Sequence, residues 1–206
     1  MKTLSKLLYL GALLPLLSST QLSYAQSLAG LRNDPAASAI LLGGAEYARD
    51  CYLNSQMVSQ NSDLASNGML EPCHLAVDFV DLSKGNRAAT YTNRGLIRLA
   101  LGDIENAFSD FNIGMNLLPE AAQIFVNRGN AFYYTGNYEM AIEDYSQSIE
   151  LGYATFPDVY LNLGKSYERL GDINLAERNY RQAIELSSNY DEAQGLLEGL
   201  ISNAKF

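Results

Sequence analysis

Residues 91–111 read YTNRGLIRLALGDIENAFSDF, residues 125–145 read FVNRGNAFYYTGNYEMAIEDY, and residues 160–180 read YLNLGKSYERLGDINLAERNY. Aligned without a gap, each stretch opens on an aromatic residue (Tyr91, Phe125, Tyr160) and reaches a glycine four residues later (Gly95, Gly129, Gly164). A second glycine follows after seven more residues (Gly102, Gly136, Gly171), then an alanine (Ala107, Ala141, Ala176) and a closing aromatic (Phe111, Tyr145, Tyr180). The copies are offset by 34 and 35 residues. A fixed period of this length marks one supersecondary unit that cannot bury its apolar face alone and stacks on copies of itself. The expected fold class is therefore all-α, a superhelical solenoid of helix-turn-helix repeats.

The local chemistry agrees with that period. Over 88–101, 122–135 and 157–170 apolar residues recur at three- and four-residue steps, which marks amphipathic helices about four turns long. The glycine ending each run suits the left-handed end of a helix, and the residue after it (Asp103, Asn137, Asp172) is a good N-cap for the next helix. Small residues at Gly95 and Ala107, Gly129 and Ala141, and Gly164 and Ala176 are expected to let the two helices of a repeat approach closely. Phe111, Tyr145 and Tyr180 are expected to fill the space toward the next repeat.

These residues resemble the tetratricopeptide repeat, whose pattern is an aromatic, two residues, Leu-Gly, two residues and Tyr, then Ala, three residues and Phe, then Pro. With Ala88, Ala122 and Pro157 counted as position 1, positions 4, 8, 15, 20 and 24 match in all three copies. Arg94 and Arg128 at position 7 and Arg98 at position 11 depart from the family pattern. The closing proline is present only as Pro119, and the second copy carries one extra residue before Pro157. The resemblance sets repeats at 88–121, 122–156 and 157–189 within a single helical domain, 34–203.

The resemblance also implies where a ligand sits. In this family the first helix of each repeat lines a concave groove through positions 2, 5, 6, 9, 12 and 13, which here gives Thr92, Asn93, Leu96 and Leu99 in the first copy. The second copy offers Gln123, Val126, Asn127, Asn130, Tyr133 and Tyr134, and the third Asp158, Leu161, Asn162, Lys165, Glu168 and Arg169. Position 6 is asparagine every time: Asn93, Asn127 and Asn162. An asparagine amide both donates and accepts, which suits the backbone of an extended peptide, and similar ladders in some relatives hold peptides this way. The alternative is that Asn-Arg-Gly is a favoured repeat sequence whose asparagines pair with neighbouring helices. The full carboxylate clamp of chaperone-binding relatives is absent, since Ala89 and Thr92 stand where lysine or arginine is required.

Outside the repeats, residues 1–25 read as an export signal. Lys2 and Lys6 form a basic start, Leu7–Leu17 an apolar run too short to span a bilayer, and Ser23-Tyr24-Ala25 a small-x-small cleavage site. With no cysteine beside that site a lipid anchor is not expected, and no later segment reads as a membrane span. Residues 26–33 are a short polar lead. Residues 34–86 read as a degenerate helical hairpin that starts the stack, with helices at Pro35–Leu53, capped by Asp34 and weakened by Gly43-Gly44, and at Pro72–Leu82. A long polar loop is expected between them. In an exported chain Cys51 and Cys73 are expected to form a disulfide across this hairpin, the alternative being two free thiols. No metal site is expected, because His74 with two cysteines at this spacing matches no zinc pattern. Residues 190–203 read as a capping helix with Asp191, Glu192 and Glu198 on its polar side and Leu196, Leu197, Leu200 and Ile201 on its apolar side.

The chain carries 14 basic and 23 acidic residues, a net charge of −9 that becomes −11 once Lys2 and Lys6 leave with the signal. That balance argues against nucleic acid and anionic membrane surfaces as partners. No catalytic constellation is legible. His74 has no nucleophile at a recognisable spacing, and acidic pairs such as Glu143-Asp144 are expected on the solvated outer face of second helices. The glycines end helices instead of following strands, so no phosphate loop and no cofactor are expected. The sequence therefore points to a non-enzymatic scaffold or adaptor, periplasmic or secreted and soluble after signal removal. It would bind a protein or peptide segment at Asn93, Asn127, Asn162, Asn130, Tyr133, Tyr134, Lys165 and Arg169. A second reading is a self-associating envelope module pairing through terminal faces, driven by the apolar side of 196–201. A third, an envelope hydrolase, has no nucleophile or metal set behind it.

Overall fold

The computed structural model describes residues 46–79 and 81–203. The expected export signal 1–25, the lead 26–33 and the start of the hairpin from Asp34 through Gly43-Gly44 lie outside the described residues. Nine α-helices run through the described residues. They begin with a hairpin, α1 (Glu46–Gln60) and α2 (Glu71–Phe79). Three helix pairs follow: α3 (Lys84–Ala100) with α4 (Ile104–Leu117), α5 (Ala122–Tyr134) with α6 (Tyr138–Glu150), and α7 (Pro157–Leu170) with α8 (Ile173–Leu186). Helix α9 (Asp191–Asn203) ends the stack. The all-α solenoid expected from the sequence period is the fold.

Each repeat turns at its second glycine. Gly102, Gly136 and Gly171 have φ of 78°, 80° and 83°, the left-handed region that glycine enters without a Cβ penalty. The amide of the following residue donates back five residues, from Asp103 to the Arg98 carbonyl (2.9 Å), Asn137 to Phe132 (2.8 Å) and Asp172 to Tyr167 (2.9 Å). This closes the helix end in a Schellman arrangement. Asp103, Asn137 and Asp172 do stand at the cap positions, but none makes the expected side-chain cap bond. Their ψ of 68–69° falls short of the extended backbone that aims a cap side chain at the first helical amides. The Asp103 carboxylate instead accepts from the Asn106 side chain at 2.9 and 3.0 Å.

Within the first repeat the two helices approach closely at the small residues, as expected, with the Ala107 carbonyl 3.1 Å from a Cβ placed on Gly95. The closing aromatic, expected to fill the space toward the next repeat, is placed differently. The ring at position 24 lies on the glycine of its own repeat. A Cβ on Gly95 would stand 2.8 Å from the Phe111 ring, on Gly129 2.7 Å from Tyr145, and on Gly164 2.4 Å from Tyr180. Glycine is required there because the ring already fills the place of a side chain. The cores then straddle repeats. Val126, Ala141, Tyr145, Val159 and Leu163 join α5, α6 and α7, while Leu161, Tyr180, Ala183, Leu197 and Leu200 join α7, α8 and α9. Leu197 and Leu200 are buried, with Leu196 and Ile201 packed against the same cluster. The apolar side of 196–201, expected to be open for self-association, is thus used inside the stack.

The starting hairpin differs in its limits from the sequence expectation. Helix α1 runs on to Gln60, past the expected end at Leu53, because 54–60 holds no breaker and Val58 is buried beside the cysteines and Ile97. The link to α2 shortens to 61–70 and folds into two 3-10 turns, the first capped by Asn61, whose side chain accepts from the Asp63 amide at 3.0 Å. Cys51 therefore sits in the second turn of α1, not at its end, and is joined to Cys73 in a disulfide. Both cysteines are fully buried.

Candidate functional site

Helices α5, α7 and α9 are bridged by polar side chains from the first-helix positions. The Asn130 side-chain carbonyl accepts from the Tyr145 hydroxyl (2.8 Å) and from the Asn162 amide (3.1 Å), so it ties α5 to α6 and to α7. The Asn127 carbonyl accepts from Gln123 (3.2 Å), whose own carbonyl accepts from the Tyr153 hydroxyl (2.9 Å). Lys165 donates to Glu192 and the Tyr190 hydroxyl to Asp158, which ties α7 to α9. Part of the asparagine ladder is therefore structural. Among the described residues, the amide nitrogens of Asn127 and Asn130 keep no partner, and Asn130 is exposed.

Several residues expected in the groove lie elsewhere. Asn93 is only 8% exposed, because α1 lies over it and Ser55 donates to its carbonyl at 3.1 Å. Thr92, Val126 and Leu161, all at position 5, are buried in the stack. Thr92 turns its hydroxyl to the Ala88 carbonyl (2.9 Å), and its oxygen would stand 2.9 Å from a Cβ on Gly114 of α4. The open face thus contracts to α5 and α7. On it Tyr133 is half-buried with its ring edge-on to Tyr138, and Arg169 lies over the same Tyr138 ring at 5.1 Å. Tyr134 is 74% exposed, more than any other large apolar or aromatic side chain among the described residues.

Three tyrosine hydroxyls packed near this face have raised pKa values. Burial first, then the hydrogen bond to Glu168, pushes the Tyr180 hydroxyl well above the ordinary tyrosine range. Burial and the bond to Asp158 do the same to Tyr190. Burial, with Tyr133 and Asp144 nearby, raises Tyr145. These hydroxyls therefore remain donors. Lys165 is paired with Glu192, while the exposed Arg169 lies over the Tyr138 ring and makes no ion pair among the described residues. The face offers amide donors beside one exposed ring, which suits recognition of a peptide backbone and an apolar side chain.

Between the first and second helices of two repeats the sequence reading missed an ion-pair system. Arg94 makes two bonds to Asp110 (2.8 and 2.9 Å), Arg98 adds a third (2.7 Å), and Asp110 is 1% exposed. Arg128 pairs likewise with Asp144 (2.7 and 2.8 Å) and reaches Asn112 (2.7 Å). Glu143 is exposed as expected, but Asp144 is buried because Arg128 neutralises it. Burial works against the Arg94 charge, yet the bonds and charge of Asp110 outweigh it and raise its pKa. The signal was present in the chain. Arginine at position 7 occurs with aspartate at position 23 in two copies, and the third changes both, to Leu163 and Asn179.

Residues 129–171 match a family model described as TPR repeat, and residues 157–190 match one described as Tetratricopeptide repeat. No curated protein sequence matches the chain. Among solved structures, pilF of Pseudomonas aeruginosa is similar at a TM-score of 0.64 and 14% identity, over 78% of this chain and 70% of that one. The second TPR domain of the human RPAP3 protein, in complex with the HSP70 peptide SGPTIEEVD, is similar at 0.54 and 22% identity, over 57% and 98%. The Sgt2 TPR domain from Aspergillus fumigatus gives 0.53 and 19%, over 57% and 79%. At these identities the likeness is one of fold.

Proposed function

Because this is a tetratricopeptide-repeat protein, we propose that it is a non-enzymatic scaffold or adaptor that binds an extended protein segment on the face of α5 and α7. The observation that carries this reading is one exposed aromatic, Tyr134, on the same helix as the unpartnered amides of Asn127 and Asn130. Backbone groups of the segment would meet the amides, and an apolar side chain would cover Tyr134, the kind of anchor that dominates interface energies. A structural neighbour solved with a bound peptide supports the mode of use. That peptide ends in EEVD, and such an acidic tail does not suit this face. The net charge is −9, Lys165 is already paired with Glu192, and Ala89 and Thr92 stand where a carboxylate clamp requires lysine or arginine.

Its place of work, in this reading, is outside the cytoplasm. The basic start and short apolar run of 1–25 and the Cys51–Cys73 disulfide support a periplasmic or secreted protein. A photo-crosslinking residue at Tyr134 tests the site, with Ser109 on α4 as the exposed control. A discrete partner band from position 134 alone supports the face. The same adducts from both positions would remove it.

A further inference from the structure

Between α6 and α8 lies a crevice of about 350 Å³ with Tyr160, Leu163 and Tyr167 of α7 among its lining residues. These are positions 4, 7 and 11 of α7, on the opposite side of that helix from Asn162 at position 6. The crevice is thus separate from the proposed peptide face. Leu163 is buried, while Leu175 and Arg178 at the edge are exposed.

The preceding repeat junction shows what normally fills this place. There position 7 is Arg128, whose guanidinium bonds Asp144 and Asn112 and lies 5.5 Å from the Phe132 ring. One repeat later the corresponding residues are Leu163, Asn179, Ser146 and Tyr167. The filling cation, its carboxylate and its amide partner have all been replaced. Position 22 also reverses sign, from Glu143 to Arg178. No carboxylate lines the crevice. Among the described residues Arg178 makes no ion pair or hydrogen bond, whereas its neighbour Arg181 is paired with Glu177 at 2.7 Å.

We propose that this crevice is a second docking site, which takes a large apolar side chain of a partner segment while an adjacent carboxylate of that segment pairs with Arg178. The aromatic and leucine lining supplies the apolar contact, and the volume lies at the small end of ligand sites, enough for one anchoring side chain. The unpaired guanidinium sets the sign of the flanking group. In the preceding junction the equivalent occupant is a side chain of the protein itself. Here it comes from outside.

The test uses a short probe, N-acetyl Gly-Phe-Glu-Gly amide, titrated into the full chain by NMR. Saturable shifts at crevice residues are expected below about 10 mM, weakened when the probe carries alanine for phenylalanine or glutamine for glutamate. Arg178→Glu, an exposed change, should weaken binding about tenfold or more. Leu163→Arg combined with Asn179→Asp rebuilds the filler of the preceding repeat. That variant should melt no lower than the parent and lose the probe, and if it fails to fold, Arg178→Glu alone decides. No saturable binding, binding indifferent to Arg178→Glu, or binding abolished by Tyr134→Ala would each overturn the proposal.

Discussion

Gly129 and Gly85 are both helical glycines, yet they answer to different physics. A Cβ on Gly129 would meet the Tyr145 ring at 2.7 Å, and that ring is buried with its hydroxyl bound to Asn130. Gly129→Ala should therefore overpack the repeat and cost about 1–3 kcal/mol. Gly85 has nothing within 4 Å of the same point, so Gly85→Ala should stabilise by about 0.5–1 kcal/mol through the unfolded chain. Denaturant unfolding reads both, and equal effects would mean that the ring-on-glycine contact does not hold the repeat. Arg128 and Asp144 give a second case. Each removed alone, as Arg128→Leu or Asp144→Asn, leaves a partner poorly solvated and should cost about 3–5 kcal/mol. Together they reproduce Leu163 and Asn179 of the third repeat, and most of the loss should return. Simple additivity in the double-mutant cycle would show the pair to be uncoupled. The pairing was legible in the sequence only when positions 7 and 23 were read jointly, since each arginine taken alone looks like a departure from the pattern.

Helix ends followed from the residues wherever a glycine sets them, because a left-handed φ admits few alternatives. The end of α1 did not, since nothing between Leu53 and Gln60 marks a stop and burial of Val58 decides the matter. The hairpin it forms is held by the disulfide, worth roughly 3 kcal/mol in the loop-entropy model for a closed loop of this size. Reduction should loosen α1 and α2 first and leave α5 to α9 helical, because coupling in a solenoid is to nearest neighbours. Hydrogen exchange under reducing conditions resolves this, and a loss of protection spread evenly over all helices would contradict it. Tyr145 and Tyr180 tie the later helices together, and their hydroxyl pKa values are raised by burial. A group whose folded pKa is raised contributes stability that is complete below its unfolded value and lost as pH climbs above it. The melting temperature should accordingly fall above about pH 10, and Tyr145→Phe should flatten that fall. A decline unchanged in Tyr145→Phe would place the sensitive group elsewhere.

At the scale of the whole molecule, only part of the membership of the α5 and α7 face could be read from the chain. Position 6 looks the same in every copy, but Asn93 is covered by α1 whereas Asn127 lies half-buried and Asn162 is bound to Asn130. A repeat frame specifies which side of a helix a residue occupies. It does not specify which neighbour lies over it, and a hairpin outside the period decides that here. Tyr134 is the residue on which the account rests most heavily, because its ring is 74% exposed. The most direct measurement is therefore the affinity of Tyr134→Ala for the segment crosslinked at that position, taken beside its melting temperature. The account predicts affinity lowered about thirtyfold or more with melting unchanged. Unchanged affinity at unchanged melting would contradict it.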